Sequence, residues 1–300
     1  MTTVRLERTP TRPHLDTGPA GPRLDTAPAW LWVGVPWAIA VALYAPMLPG
    51  LAQEWAESPV LSHGFAVPFI AGYLVWARRA ELRAATIAPS WWGLPPLLIG
   101  LAAMVLGVHG QEPFIARASL PATLLGVTLL VGGWSLTRVS WIAIAYLAFM
   151  IPLPWTTLKT LMYQSRLLDA TISRALLDAV GVPVLQDGVF LHLPAMTLEV
   201  ADACSSIPAI AALLALGIAY STVVDRPLAA KVVLVASALP LAIASNIVRI
   251  TTTALGVHYI GPVTLQTVYH QFNGTVNFFL TFFLLLLLDR VLLAWTARRR

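Results

Sequence analysis

Read as helices, this 300-residue chain brings a thiol, a guanidinium and an imidazole to one depth: Cys204, Arg249 and His270. Cys204 lies 22 residues before Arg226, Arg249 lies 18 after Lys231, and His270 lies 20 before Arg290. At ~1.5 Å per helical residue these separations are about 33, 27 and 30 Å, the thickness of a bilayer's hydrocarbon core. The three residue types are those of acyl transfer: a nucleophile, a partner for the oxyanion and a proton shuttle. Arg249 is also expected to favour the thiolate, lowering the Cys204 pKa from its reference of about 8.5. Taken singly, each residue has a plainer role. A lone cysteine packs, an arginine near a helix end snorkels, and an interfacial histidine need not react. Arg249 is the hardest to explain that way, because it stands at the outward end of its run, where positive charge is disfavoured. The case for chemistry rests on the coincidence of the three.

Asn246 precedes Arg249 by three residues on one helix face, so its amide can orient the guanidinium or satisfy a neighbouring helix. Ser62 and His63 stand at the outer mouth of a different apolar run. The pair invites a serine-protease reading, but adjacent side chains diverge and no GxSxG elbow is present. His63 is therefore expected to do structural or substrate-gating work. His192 and His258 receive no role, and Glu54, Glu57 and Glu112 read as solvated loop acids. A single cysteine excludes an internal disulfide, and no Cys/His cluster has metal-ligand spacing.

The elements that must position these residues follow from composition. With 58% hydrophobic and 11% charged residues and a mean hydropathy of +0.75, the chain has too little polar surface for a water-soluble globule. Runs such as FFLTFFLLLLL have no strand alternation, so the expected fold is an all-α polytopic membrane protein. Eight spans are expected, at about 30–48, 61–77, 92–108, 119–135, 139–151, 203–224, 229–249 and 274–295. Residues 1–29, with five prolines and no apolar h-region, read as a disordered tail and not a signal peptide. Placing that tail in the cytoplasm leaves only Arg117, Lys159, Arg166, Arg174 and Arg249 outside, of 19 lysines and arginines. Both termini are then cytoplasmic, with 30–295 a single membrane-embedded domain, its site-bearing part at 201–295, and 296–300 a basic tail. The net charge of +5 is a matter of orientation and does not point to nucleic acid. Residues 152–200 interrupt the apolar pattern. They read as an amphipathic helix on the outer surface, followed by a short hairpin-like segment turning at Asp187-Gly188.

ADACSSI at 201–207, SNIVRI at 245–250 and HQFNG at 270–274 resemble the three signature blocks of the exosortase/archaeosortase family. These are membrane cysteine transpeptidases acting on PEP-CTERM-like sorting signals. SHGF at 62–65 and the stretch from IPLP at 151–154 through LEV at 198–200 are similar to further blocks, so the resemblance covers about residues 30–295 in order. It departs from the usual Glu-Ala-Cys-Ser-Gly: Asp202 stands for the glutamate, Ser206 for the glycine, and Pro208 where an arginine is common. Asp202, Ser205, Asn246 and His63 are expected in supporting or substrate-binding roles, and the resemblance implies Cys204 as nucleophile with Arg249 and His270 completing the site. It implies no metal or organic cofactor. It also implies an inner-membrane enzyme whose active site faces outward, and a partner in the form of an exported protein ending in a short motif, a hydrophobic helix and basic residues. Release of the product to water instead of transfer remains open at this level, as does a non-enzymatic role in transport or polysaccharide export.

Overall fold

Apolar runs opened by proline give several of the helices, because a proline in the first turn surrenders only a donor that has no intrahelical partner. The computed structural model describes residues 27–265 and 267–298, so most of the two expected tails, 1–29 and 296–300, lies outside the described residues. In chain order the helices are α1 (Ala27–Tyr44), α2 (Leu48–Glu57), α3 (Ala66–Ala77), α4 (Arg79–Ala84), α5 (Leu94–His109), α6 (Pro113–Tyr146), α7 (Trp155–Ala179), α8 (Ile207–Val223), α9 (Leu228–Tyr259) and α10 (Thr267–Arg298). Four helical stretches among the described residues are long and apolar enough to cross a bilayer: Leu31–Glu57, Trp91–His109, Pro113–Met150 and Leu228–Tyr259. Ile207–Val223 is a shorter apolar helix. The protein is a multi-pass, helical membrane protein.

The two spans expected at 119–135 and 139–151 belong to one run, α6, broken at Gly133. There φ is 75° and ψ −171°, a conformation essentially confined to glycine. The break frees carbonyls, and an extended segment after α4 takes them up: Ala88 N–H donates to Gly132 O at 3.3 Å and Ser90 N–H to Leu130 O at 3.2 Å. A Cβ at position 133 would stand 1.8 Å from the Ala88 carbonyl oxygen. Upstream of the break, α5 lies against α6 closely enough that a Cβ on Gly100 or Gly107 would meet the backbone of Thr123 or Ala116, the small-residue packing used between helices in lipid. Tyr44 of α1 joins this pair through Ser119 (2.6 Å) and Thr123 (2.8 Å).

Glu54 is not a solvated loop acid. It lies on α2 and makes a bidentate pair with Arg117 of α6, both contacts at 2.8 Å, because the first apolar run continues past Tyr44 into α2 and brings Glu54 within reach of the start of α6. The span expected to end at Arg249 also runs on to Tyr259, so Arg249 is an interior residue of α9, three turns from its end.

The α7 sequence buries Leu158, Met162, Asp169, Ala170, Ser173 and Leu177, a helical stripe that packs against α9. After α7, β1 (Leu185–Asp187), β2 (Phe190–His192) and β3 (Thr197–Glu199) form one antiparallel sheet. Asp187 pairs with Phe190 across a two-residue turn whose first residue, Gly188, has φ 57°, as tight hairpins require. The expected hairpin thus gains a third strand, with Leu191 opposite Leu198. Val189, Leu191 and Val200 from this sheet, Ala170 of α7 and Ile250 of α9 form the small core that also contains Cys204.

Substituting Gly133→Ala should remove about 1–3 kcal/mol through backbone strain alone, before the clash with Ala88 is counted. In detergent solution its Tm should fall, while Gly34→Ala, in α1 with open space around it, should leave Tm unchanged or raise it.

Candidate active site

Cys204 is delivered by a short chain of backbone constraints. Val200 N–H donates to Val189 O at 3.0 Å, which ends the sheet, and Arg166 of α7 reaches across to donate to Val200 O (3.1 Å) and pair with Asp202 (3.1 Å). The chain then makes one 3-10 turn, Asp202–Cys204, closed by Cys204 N–H to Ala201 O at 2.8 Å and Ser205 N–H to Asp202 O at 3.1 Å. α8 starts at Ile207, so Cys204 lies ahead of the helix that the sequence expects from residue 203. Cys204 is buried, 7% exposed.

Arg249 and Asn246 meet Cys204 from α9. Arg249 Nη2 donates to Cys204 Sγ at 3.6 Å. One turn earlier, Asn246 Nδ2 donates to Cys204 O at 2.7 Å and to Asp169 Oδ2 at 2.9 Å. Asp169, on α7, is wholly buried, and its Oδ2 also accepts from Ser206 N–H (3.2 Å) and Ser165 Oγ (3.3 Å). The Ser165 and Ser206 hydroxyls lie 2.6 Å apart. Burial pushes the Asp169 carboxyl up, against hydrogen bonds from Asn246, Ser206 and Ser165 that favour the carboxylate.

Arg249 does pull the Cys204 pKa down, as expected, but the thiol does not end below its ordinary value. Burial pushes the thiol up and outweighs both the Arg249 charge and the backbone bond at Ala201. In the resting site the thiol therefore keeps its proton at neutral pH, and ionisation needs a base.

The other residues singled out in the sequence fall at different places. Asp202 is half exposed and serves as the anchor for Arg166. Ser205 is buried, and its hydroxyl has no hydrogen-bond partner among the described residues. His63 follows α2 in a 3-10 turn and lines an apolar cavity of 270 Å³ with Trp55, Phe149, Ile207 and Pro208, beside the start of α8. Burial pushes its imidazole down, opposed by hydrogen bonds to the Val60 and Phe149 backbones. His270 belongs to the first turn of α10, but its side chain lies outside the described residues. Two turns on, α10 is tied to α9 through Ser245, whose carbonyl accepts from Asn277 Nδ2 at 3.0 Å and whose hydroxyl accepts from Thr281. His192 bonds Thr197 across the sheet, and His258 packs edge-on against Tyr259.

Sequence reasoning missed Asp169, Arg166, Ser165 and Ser206. A signal for Asp169 was present: it falls on the stripe of α7 whose other members are apolar or small, and a carboxylate on a buried stripe must be holding donors. Among the described residues no three His, Cys, Asp or Glu side chains gather as a metal site. What the arrangement supplies is a thiol at a fixed point beside a guanidinium, where a negative charge developing next to sulfur would be met.

A sequence-family model described as transmembrane exosortase matches residues 55–287, a stretch that holds Cys204, Arg249 and His270. No curated protein and no solved structure matches the chain.

Alkylation of Cys204 by iodoacetamide reads its thiolate, so its pH profile should have a midpoint above that of an ordinary thiol. Arg249→Gln removes the charge opposing burial and should move the midpoint higher and slow alkylation several-fold at about pH 8. A midpoint below that of a free thiol would contradict the assignment of burial as the dominant effect.

Proposed function

The chain belongs to the transmembrane exosortase family, and we propose that it is a protein-sorting transpeptidase in which Cys204 is the nucleophile, Arg249 the oxyanion partner and His270 the proton shuttle. The observation that carries this reading is the 3.6 Å contact from Arg249 Nη2 to Cys204 Sγ, inside the family-matched region. The contact sets a positive charge directly against a buried thiol. It is where an anion on sulfur, and then on the neighbouring substrate oxygen, gains most from a fixed cation.

In the proposed reaction His270 takes the thiol proton, as a thiol held protonated by burial requires. The sulfur attacks the scissile carbonyl carbon, and the oxyanion that forms is held by Arg249. The C–N bond breaks, and the leaving amine of the C-terminal fragment takes the proton from His270. A thioester on Cys204 remains. An acceptor nucleophile, giving its proton to His270, attacks the thioester carbonyl and expels the Cys204 thiolate, which takes that proton back from His270 to restore the resting thiol; water in that place would give hydrolysis. The substrate is an exported protein ending in a short motif, a hydrophobic helix and a basic cluster. Its helix docks laterally against the apolar helices, because it cannot leave the bilayer cheaply.

The proposed topology has eight spans in one unit at 30–295, both termini cytoplasmic and Cys204 at the outer face of the inner membrane. The Gly133 break supports counting α6 as two spans. The reading of α7 as an outer surface helix is supported by Leu161, Leu168, Ile172 and Leu176, an apolar row left exposed along the flank of its buried stripe.

Cys204→Ser should lower processing of a substrate carrying its native sorting signal by orders of magnitude while the protein still inserts, with full-length substrate accumulating on immunoblots. Arg249→Lys keeps the charge but loses the planar fork, and should lose about 10²–10³ in rate. Wild-type processing by Arg249→Lys would remove Arg249 from the proposed mechanism. Reporters placed after Arg300 and near Asp187 should register opposite sides of the membrane.

A further inference from the structure

Asp169 has no part in the reaction just proposed, yet it is the most constrained polar group near the thiol. Its carboxyl is wholly buried, and three donors converge on Oδ2: Asn246 Nδ2 at 2.9 Å, Ser206 N at 3.2 Å and Ser165 Oγ at 3.3 Å. Two of these donors bear directly on the Cys204 peptide. The Asn246 amide places its other N–H on Cys204 O at 2.7 Å, and the Ser206 N–H is the amide two residues beyond the cysteine.

A carboxylate and a carbonyl oxygen both only accept, so Asn246 must turn its NH2 end toward the pair and its oxygen away. With its two amide protons committed, the Asn246 side chain has one orientation. Without Asp169 the amide keeps only the Cys204 carbonyl to orient it, and the side chain loses the second of its two fixed points. On the other flank, a carboxylate at the Ser206 N–H sits at the start of α8, where the helix dipole favours negative charge. The segment Cys204–Ser206 is thus held at both ends by one carboxyl, directly at Ser206 and through Asn246 at Cys204.

We propose that Asp169 is a positioning residue for Cys204: by clamping the Cys204 carbonyl through Asn246 and the Ser206 amide directly, it fixes the side chain that carries Sγ against Arg249. It touches no reacting atom. The value of this for turnover rests on the reading of Cys204 as nucleophile, but the positioning itself does not.

The test uses the full chain in membranes and iodoacetamide as probe, so no substrate is needed. In the wild-type background Arg249→Gln slows Cys204 alkylation at fixed pH. If Asp169 sets the Sγ–Arg249 contact, the same Arg249→Gln change should have little or no effect in an Asp169→Ala background, because the contact it removes is already lost. A residue that only stabilises the fold would leave the Arg249 effect intact in every molecule that inserts. Asp169→Asn keeps an acceptor oxygen for the converging donors and should restore most of the Arg249 effect. Should Asp169→Ala fail to accumulate, Asn246→Ala cuts the same link at its other end and should abolish the Arg249 effect likewise. The proposal is overturned if the full effect of Arg249→Gln persists in the Asp169→Ala background, or, where that protein fails to accumulate, in Asn246→Ala. Failure of the transpeptidase reading would show elsewhere, as unimpaired substrate processing by Cys204→Ser.

Discussion

A carboxyl group with no exposure to solvent has to be surrounded by donors, and in this protein that requirement organises everything near Cys204. Leaving a buried carboxylate without partners costs several kcal/mol or forces it to neutralise. The donors that satisfy Asp169 come from three separate elements: Ser165 from its own helix α7, the Ser206 amide from the start of α8, and Asn246 from α9. One group therefore fixes the mutual placement of three helices, and the Cys204 turn is the segment strung between two of the donors. Arg249 gains its place from the same geometry, since it follows Asn246 by three residues and so faces the same side of α9.

The rest of the molecule holds that junction in place from outside. The three-stranded sheet and Arg166 hold the approach to the turn, and the small core of Ala170, Val189, Leu191, Val200 and Ile250 encloses the thiol. That enclosure has a chemical consequence, because it keeps the thiol protonated in spite of the neighbouring guanidinium. The proposed mechanism then turns on a base that acts when substrate is present. α10, which carries His270, is tied to α9 through Ser245, the residue next to Asn246. The packing that sets Asn246 thus also sets the helix from which the proposed proton shuttle comes.

Much of this was legible in the sequence, for physical reasons that can be named. Cys204, Asn246 and Arg249 were picked out because a helical rise converts spacing into depth and face, and the structure brings those three into contact; their chemical roles stay with the proposal. The interruption at 152–200 was visible because charges entered the apolar pattern, and α7 and the sheet occupy it. Other features depended on contacts distant in sequence. Nothing local announces that Ala88 and Ser90 take up the carbonyls freed at Gly133, nor that Glu54 finds Arg117. The third strand was hidden because Thr197–Glu199 is too short to show alternation. Asp169 could have been found from its place on the α7 stripe. Arg166 could not, since an arginine on the edge of an amphipathic helix ordinarily faces water.

The proposed chemistry requires a covalent bond between the Cys204 sulfur and substrate. Enzyme quenched with acid during turnover, digested and analysed by mass spectrometry reads this directly. If Cys204 is the nucleophile, the peptide containing it carries the N-terminal cleavage product less one water, and hydroxylamine releases it, as it does a thioester. Product formed by Cys204→Ala at the rate of the unmodified enzyme, with no adduct on Cys204 in the latter, would contradict that role.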